Sequence, residues 1–192
     1  MKLLQKNKLS KKIIYKIAQK RTQSLLKKIE PFLKEGDKIL DIGAGTCSLC
    51  EDLEKKDYQV FPLDVQNLSL IDHINPLIYN GDKIPYENDE FNKALILTVL
   101  HHTKDPEKII KEAKRVAKEI IIIEDVYSNP LHQYITYFFD SLLNFEFFNH
   151  PHSNKNNREW QETFEKLGLK LLDTQYHRSF FVFKHATYYL QK

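Results

Sequence analysis

Residues 39–53, ILDIGAGTCSLCEDL, hold two sets of side chains that could each do chemistry. Asp41, Gly43 and Gly45 follow an apolar run. Glycines there allow a tight turn and bring backbone N–H groups close to a ligand, as a nucleotide-cradling loop requires. Cys47 and Cys50 stand in C-x-x-C spacing, which near a strand–helix junction can mark a thioredoxin-like redox pair. His101, His102, Glu124 and Asp125 close two later apolar runs. His150 and His152 form a further His-Pro-His group. A divalent metal site would also want carboxylates at defined positions, and none is expected here.

The elements that must position these groups alternate in type. "KILDI", "YQVFPLD", "PLIYN", "KALILTV" and "EIIIIED" read as strands. "TCSLCEDLEKK" reads as a helix with Thr46 as its cap, and "DPEKIIKEAKRVA" as a helix opened by Asp105 and Pro106. Continuous apolar strands separated by helices predict a parallel sheet covered on both faces. Before them, Leu9, Ile13, Ile17, Leu25, Leu26, Ile29 and Phe32 recur at roughly helical spacing, predicting one or two amphipathic helices. After them comes an aromatic segment, then a helix "REWQETFEKLGL" closing on Gly168, and an antiparallel strand pair "KLLDTQYHRS" and "FFVFKHATYYL".

At 192 residues the chain fits one domain with a substantial core. Its first 38 residues carry +9 against a whole-chain net charge of +3, so the remainder is acidic. A basic arm of this kind is a solvated helix face or an attractor of anionic substrate, nucleic acid or lipid. No apolar run approaches the roughly 18 residues of a membrane helix, and the N-terminus lacks the apolar core of a signal peptide. Two cysteines close in sequence do not make a secreted disulfide scaffold. A cytoplasmic location is expected.

The loop itself narrows the ligand. A Walker loop needs Gly-Lys-Ser/Thr, which is absent, and the dinucleotide fingerprint needs a third glycine where Ser48 stands. In sequence the chain resembles the class I S-adenosylmethionine (SAM)-dependent methyltransferases, nearest to the small-molecule, type 11-like group. Their first motif, Asp/Glu-x-Gly-x-Gly-x-Gly, is met here by Asp41-Ile-Gly43-Ala-Gly45-Thr-Cys47, with cysteine in place of the third glycine. Asp64 ends the second strand where the family's acidic residue holds the ribose hydroxyls, a task suited to a carboxylate. "IPYENDEFN" resembles a family segment in which Asn92 replaces the usual aspartate, and "LILTVLHHTKDPEKIIKEAKRV" is the most family-like run. The adenine-contacting aspartate falls on Asn80, with Asp82 as the alternative.

The resemblance, strong over residues 37–125, implies a Rossmann-like α/β fold: a seven-stranded methyltransferase sheet with an antiparallel C-terminal strand. It divides one methyltransferase domain, 1–192, into a basic helical arm (1–36), a SAM-binding core (37–125), an aromatic lid (126–157) and a C-terminal helix with strand pair (158–192). It places cofactor contacts on Asp41, Gly43, Ala44, Gly45, Cys47, Asp64, Val65, Asn80, Gly81, Asp82, Thr98 and Val99. SAM is the implied cofactor and S-adenosylhomocysteine its product. The cysteines then read as secondary, Cys47 as a thiol at a helix start and Cys50 as core.

Methyl transfer from a sulfonium is an in-line displacement served mainly by orientation and water exclusion. A base matters only if the nucleophile must lose a proton. His102 is the first candidate on the acceptor side, followed by His101 and Glu124, with loop capping as their alternative role. Tyr127, Tyr134, Tyr137, Phe138 and His150 are the candidate acceptor contacts, and their aromatic density suits a hydrophobic or amphiphilic small molecule. An RNA or protein methyltransferase using the basic arm ranks second. A SAM-binding protein without catalysis and an NAD enzyme, opposed by Ser48, follow. Acceptor identity and oligomeric state do not follow from these residues.

Overall fold

The computed structural model describes residues 8–127, 155–179 and 183–192. Tyr134, Tyr137, Phe138, His150 and His152 lie outside the described residues. A long helix, α1 (Lys8–Ile29), ends in a 3-10 turn over Glu30–Phe32 that carries Pro31 near its start. Then follow β1 (Lys38–Ile42), α2 (Ser48–Glu54), β2 (Gln59–Asp64), β3 (Leu77–Ile78) and β4 (Phe91–Leu97). A 3-10 turn over Leu100–His102 leads to α3 (Pro106–Val116) and β5 (Ala117–Asp125). The chain closes with α4 (Asn157–Lys166), β6 (Lys170–Ser179) and β7 (Phe183–Gln191).

All seven strands form one sheet in the order β3-β2-β1-β4-β5-β7-β6. Strands β1 to β5 pair in parallel, while β7 runs antiparallel to both β5 and β6. The order reverses between β1 and β4, and in open α/β sheets ligands bind outside the carboxyl ends of the strands at such a switch. The expected seven-stranded α/β sheet with its antiparallel C-terminal strand is thus the fold observed.

Alternation along the strands feeds two cores. On one face Leu40, Ile42, Ile96, Ile120 and Ile122 pack with Ile109, Ile110 and Ala113 of α3 and with Trp160 and Phe164 of α4. On the other, Ile39, Leu95, Leu97, Ile121 and Ile123 pack with Leu25, Leu26 and Ile29 of α1 and with Leu49 and Leu53 of α2. Each such buried Leu or Ile contributes roughly 1.5–3 kcal/mol relative to exposure, so the helices are held by their apolar stripes. Helix starts follow local chemistry. Asp105 caps α3, accepting from the Lys108 amide at 3.0 Å with Pro106 in the first turn, and Asn156 with Glu159 forms a reciprocal capping box on α4. Gly168, at φ +64°, ends the turn beyond α4.

Two local expectations are corrected. Thr46 does not cap α2: Cys47 occupies that position in the left-handed region, φ 57°, and no side chain caps the helix. The Thr46 hydroxyl instead meets Ser48 Oγ at 3.1 Å. Strand β4 stops at Leu97, so Thr98 and Val99 leave the sheet, Thr98 at φ 58°. Both departures put residues of the candidate site on a bend that a regular strand or cap would not give.

Candidate functional site

The carboxyl ends of β1, β2 and β4 converge through backbone contacts. The amides of Gly43 and Ala44 both donate to the Leu63 carbonyl, at 2.8 and 3.2 Å, which folds the loop after β1 toward β2. Gly43 has φ +78°, and a Cβ placed on it would lie 2.5 Å from Val99 Cγ2. Only glycine satisfies both the backbone angle and the approach of the loop after β4. The Gly45 amide donates to Asp64 Oδ2 at 2.8 Å, and the Gln66 amide to Asp64 Oδ1 at 3.1 Å. Asp64 is thereby fixed at the end of β2 by two N–H groups and keeps acceptor capacity on each oxygen.

Beyond it, Val65 exposes 57% of its surface. Gly81 lies opposite, its Cβ position 3.6 Å from Val65 Cγ1. Asn80 and Asp82 flank that glycine in one turn: Asn80 Oδ1 accepts the Asp82 amide at 3.0 Å, while Asp82 pairs with Lys108. An apolar side chain, an open glycine and polar edges make a surface onto which a flat heterocycle could stack.

Asp41 sits beneath the loop, almost wholly buried. Burial is the main reason its carboxyl is pushed up to about 6; the Cys50 thiol, donating to Oδ2 at 3.2 Å, opposes that, and the nearby Asp64 charge adds to it. Cys47 stands where the resemblance expects the third glycine, and its positive φ explains that expectation: an L-residue there costs about 1–2 kcal/mol relative to glycine.

The loop after β4 is organised from β5. Glu124, buried at 1%, accepts the Val99 and Leu100 amides on Oε1 at 2.9 and 2.7 Å, and its Oε2 lies 2.6 Å from His101 Nδ1. These contacts engage both oxygens, so Glu124 positions the Leu100–His102 turn. His101 is itself buried, and its ring lies against that of His102, centroids 4.0 Å apart. Of the three candidate catalytic groups, His102 alone is exposed at this edge.

Helix α1 brings groups that no local pattern announces. Tyr15 donates to Glu51 at 2.7 Å and Gln23 to Asp52 at 2.6 Å, which docks α1 on α2. One face further on, Arg21 donates to the Thr98 hydroxyl, and Lys28 Nζ lies 2.7 Å from His185 Nδ1. His185 Nε2 in turn is 3.0 Å from Asp125 Oδ1. Burial lowers the Lys28 amine; the Asp125 charge opposes this and the Arg21 charge adds to it. Burial would raise the Asp125 carboxyl, but the His185 contact and the charges of His185, His101 and Arg21 outweigh it and hold the carboxyl low. A Lys–His–Asp chain therefore closes the end of β5. Arg21 and Lys28 are seven residues apart, hence on one helical face, which is the single sequence signal that could have found them.

Two residues beyond Asp125, the Tyr127 hydroxyl donates to Glu159 at 3.1 Å. It lines an open groove of about 570 Å³ with Asp105, Glu107, Lys155, Glu159 and Lys166, and none of the glycine-loop residues. Among the described residues no group of three or more His, Cys, Asp or Glu side chains is placed to hold a metal ion. Nor is any described helix long and apolar enough to cross a membrane.

The switch-point loop and the sheet order together give a Rossmann-like α/β fold with an antiparallel C-terminal strand pair. Residues 40–120 match the family model described as a methyltransferase domain. A stretch of 79 residues is 33% identical to an uncharacterized protein of Methanocaldococcus jannaschii, covering 41% of this chain and 38% of that one, so the match spans well under half of that relative. Among solved structures, a SAM-dependent methyltransferase of Methanosarcina mazei superposes with a TM-score of 0.66 at 18% identity, over 85% of this chain and 96% of that one. The magnesium protoporphyrin IX methyltransferase of Synechocystis, solved with bound S-adenosylhomocysteine, gives 0.65 at 14% identity, over 97% and 88%. The chain thus shares the fold of these methyltransferase structures, and its residues 40–120 match the methyltransferase-domain model.

Proposed function

We propose that this protein transfers a methyl group from SAM to a hydrophobic or amphiphilic small molecule. The observation that carries the cofactor side is Asp64, held by the Gly45 and Gln66 amides at the end of β2 beside a loop that tolerates only glycine at position 43. These residues fit the group. Asp64 would accept from the ribose hydroxyls, Val65 and Gly81 would face the adenine with Asn80 or Asp82 at its edge, and the loop from Asp41 to Cys47 would hold the amino-acid end near Thr98 and Val99. When bound, SAM supplies an electrophilic methyl on a sulfonium whose leaving group is a neutral thioether.

What remains for the chain is orientation and exclusion of water. Glu124 and His101 fix the turn that presents His102, which would accept a hydrogen bond, or a proton if the acceptor must lose one, from the nucleophile. Asp125, oriented by His185 and Lys28, offers a second anchor at the same edge. The aromatic segment after β5 supports an apolar acceptor, and the structural neighbour that acts on a porphyrin is consistent with one. Binding within one domain and a lid role for residues 126–157 belong to the same proposal.

The second reading, an RNA or protein acceptor, is favoured by Lys12, Lys16 and Lys20, which remain exposed on α1. Incubation with methyl-labelled SAM, cellular RNA, protein and an organic-soluble metabolite fraction separates the two. Label in the organic phase supports the small-molecule acceptor. Label confined to RNA, and lost steeply as salt rises, would replace it with the second reading.

A further inference from the structure

Helix α1 carries apolar side chains on two faces, and they meet different surroundings. On the inner face Leu25, Leu26 and Ile29 are buried with the sheet and α2, while Tyr15, Gln19 and Gln23 hold the helix to Glu51 and Asp52. On the outer face Ile13 and Ile17 expose 53% and 65% of their surface, and Lys12, Lys16 and Lys20 are exposed beside them. The two isoleucines are four residues apart, as are successive lysines, so each set forms a stripe along the helix. Ile13 and Lys16, like Ile17 and Lys20, are three apart, so the stripes adjoin. Over its 22 residues α1 holds eight Lys and Arg and no Asp or Glu.

We propose that this outer face of α1 docks the protein on an anionic lipid surface, with Ile13 and Ile17 entering the boundary between headgroups and acyl chains and Lys12, Lys16 and Lys20 meeting the headgroup charges. An apolar stripe beside a lysine stripe is what a helix lying in that boundary requires, since apolar burial and attraction to anionic lipid add. Charge decides the occupant. The first 38 residues carry +9 against a whole-chain net charge of +3, so an anionic surface draws α1 and repels the acidic remainder, which fixes the orientation. A second copy would set two arrays of like charge face to face. Nucleic acid would satisfy the lysines and leave the isoleucines in water. The helix offers it a single arginine, and its one aromatic ring, Tyr15, is tied by its hydroxyl to Glu51.

The docking face adjoins the carboxyl edge of the sheet. Arg21, next to Lys20, donates to Thr98 after β4, and Lys28 near the end of the same helix meets His185 beside Asp125. A helix lying on lipid would therefore hold that edge close to the bilayer, from which an apolar methyl acceptor could be drawn. This consequence rests on the methyltransferase reading; the docking itself does not.

The test is flotation of the full chain in a density gradient with vesicles of phosphatidylcholine alone and with vesicles of phosphatidylcholine and phosphatidylserine in equal parts. The expected result is flotation with the anionic vesicles, none with the neutral ones, and release as salt rises. Ile13→Ser combined with Ile17→Ser keeps every charge and should weaken partitioning roughly tenfold or more. Lys12→Gln, Lys16→Gln and Lys20→Gln together should weaken it at least as much. All five positions are exposed, so urea midpoints of both variants should match that of the parent. A parent that floats with neither vesicle would overturn the proposal, as would an isoleucine variant that floats like the parent. Without flotation, salt-sensitive RNA binding kept by the isoleucine variant would assign the lysines to nucleic acid, and a dimer lost in that variant would assign the face to a second copy. None of these readouts involves S-adenosylhomocysteine, so the docking and the cofactor reading fail separately.

Discussion

The edge we propose for the cofactor and the edge we propose for the acceptor are held together differently. At the first the fixing groups are backbone amides and glycines of the loops after β1 and β2: Gly43 and Ala44 on Leu63, Gly45 and Gln66 on Asp64. At the second they are side chains from distant elements: Lys28 on His185, His185 on Asp125, Glu124 on His101. The difference follows from the tasks. On the proposed reading, a cofactor common to many enzymes is met by a main-chain loop built around one carboxylate, whereas an acceptor particular to one enzyme is met by side chains that can be exchanged.

Substitutions that break the cofactor edge should therefore have the largest effects. Gly43→Ala combines a left-handed backbone with a Cβ 2.5 Å from Val99. S-adenosylhomocysteine affinity should fall by roughly 100-fold or more, with partial recovery when Val99→Ala opens the space. Asp64→Ala removes a charged acceptor without backbone strain, so a loss of about 10–100-fold is expected in the same titration. An unchanged affinity in either variant would place the ligand elsewhere.

At the acceptor edge the first effect is on stability. Glu124→Ala leaves the buried Leu100 amide and its Val99 neighbour without their acceptor and should destabilise by roughly 2–4 kcal/mol in urea unfolding. Glu124→Gln keeps one oxygen acceptor and should lose less than half of that. Equal losses in the two variants would mean that the carboxylate holds no turn.

Asp41 gives a pH signature between the two edges. Its folded carboxyl titrates at about 6, above the ordinary 3.8, so the folded state holds a proton that the unfolded state releases between those values. Stability on this account falls as pH rises from about 4 to 6, by an amount on the order of 3 kcal/mol at most. Asp41→Asn should accordingly gain on the parent from pH 4.5 to pH 7.5 in urea midpoints. A constant difference would show that Asp41 does not titrate there. The smallest effect belongs to Cys47→Gly, which relieves the backbone at φ 57° but loosens the unfolded chain, for a net change within about 1 kcal/mol and retained affinity.

The same contrast explains what could be read from the residues alone. The sheet, the glycine loop and Asp64 were legible because each is announced within a few positions: apolar runs, Asp-x-Gly-x-Gly, an acid at a strand end. The Asp105-Pro106 start of α3 was legible for the same reason. The left-handed turn at Cys47 was hidden because cysteine gives no sign of positive φ, and Thr46 offered a more ordinary cap. Lys28 and His185 are 157 residues apart, and Arg21 and Thr98 are 77 apart, so only the register of β7 on β5 and the path of α1 bring them together. Glu124 was legible as a polar group at a strand end, but its task as the acceptor for the next strand's loop depends on the pairing of β4 with β5.

The central claim, an S-adenosyl ligand held at Asp64 beside the glycine loop, is tested most directly by calorimetric titration of nucleotide-free protein with S-adenosylhomocysteine, with NAD as the parallel control. The account predicts saturable binding of S-adenosylhomocysteine, none of NAD, and a loss of affinity in Asp64→Ala under conditions where that variant remains folded. Binding of NAD alone, or of neither ligand by correctly folded protein, would contradict it.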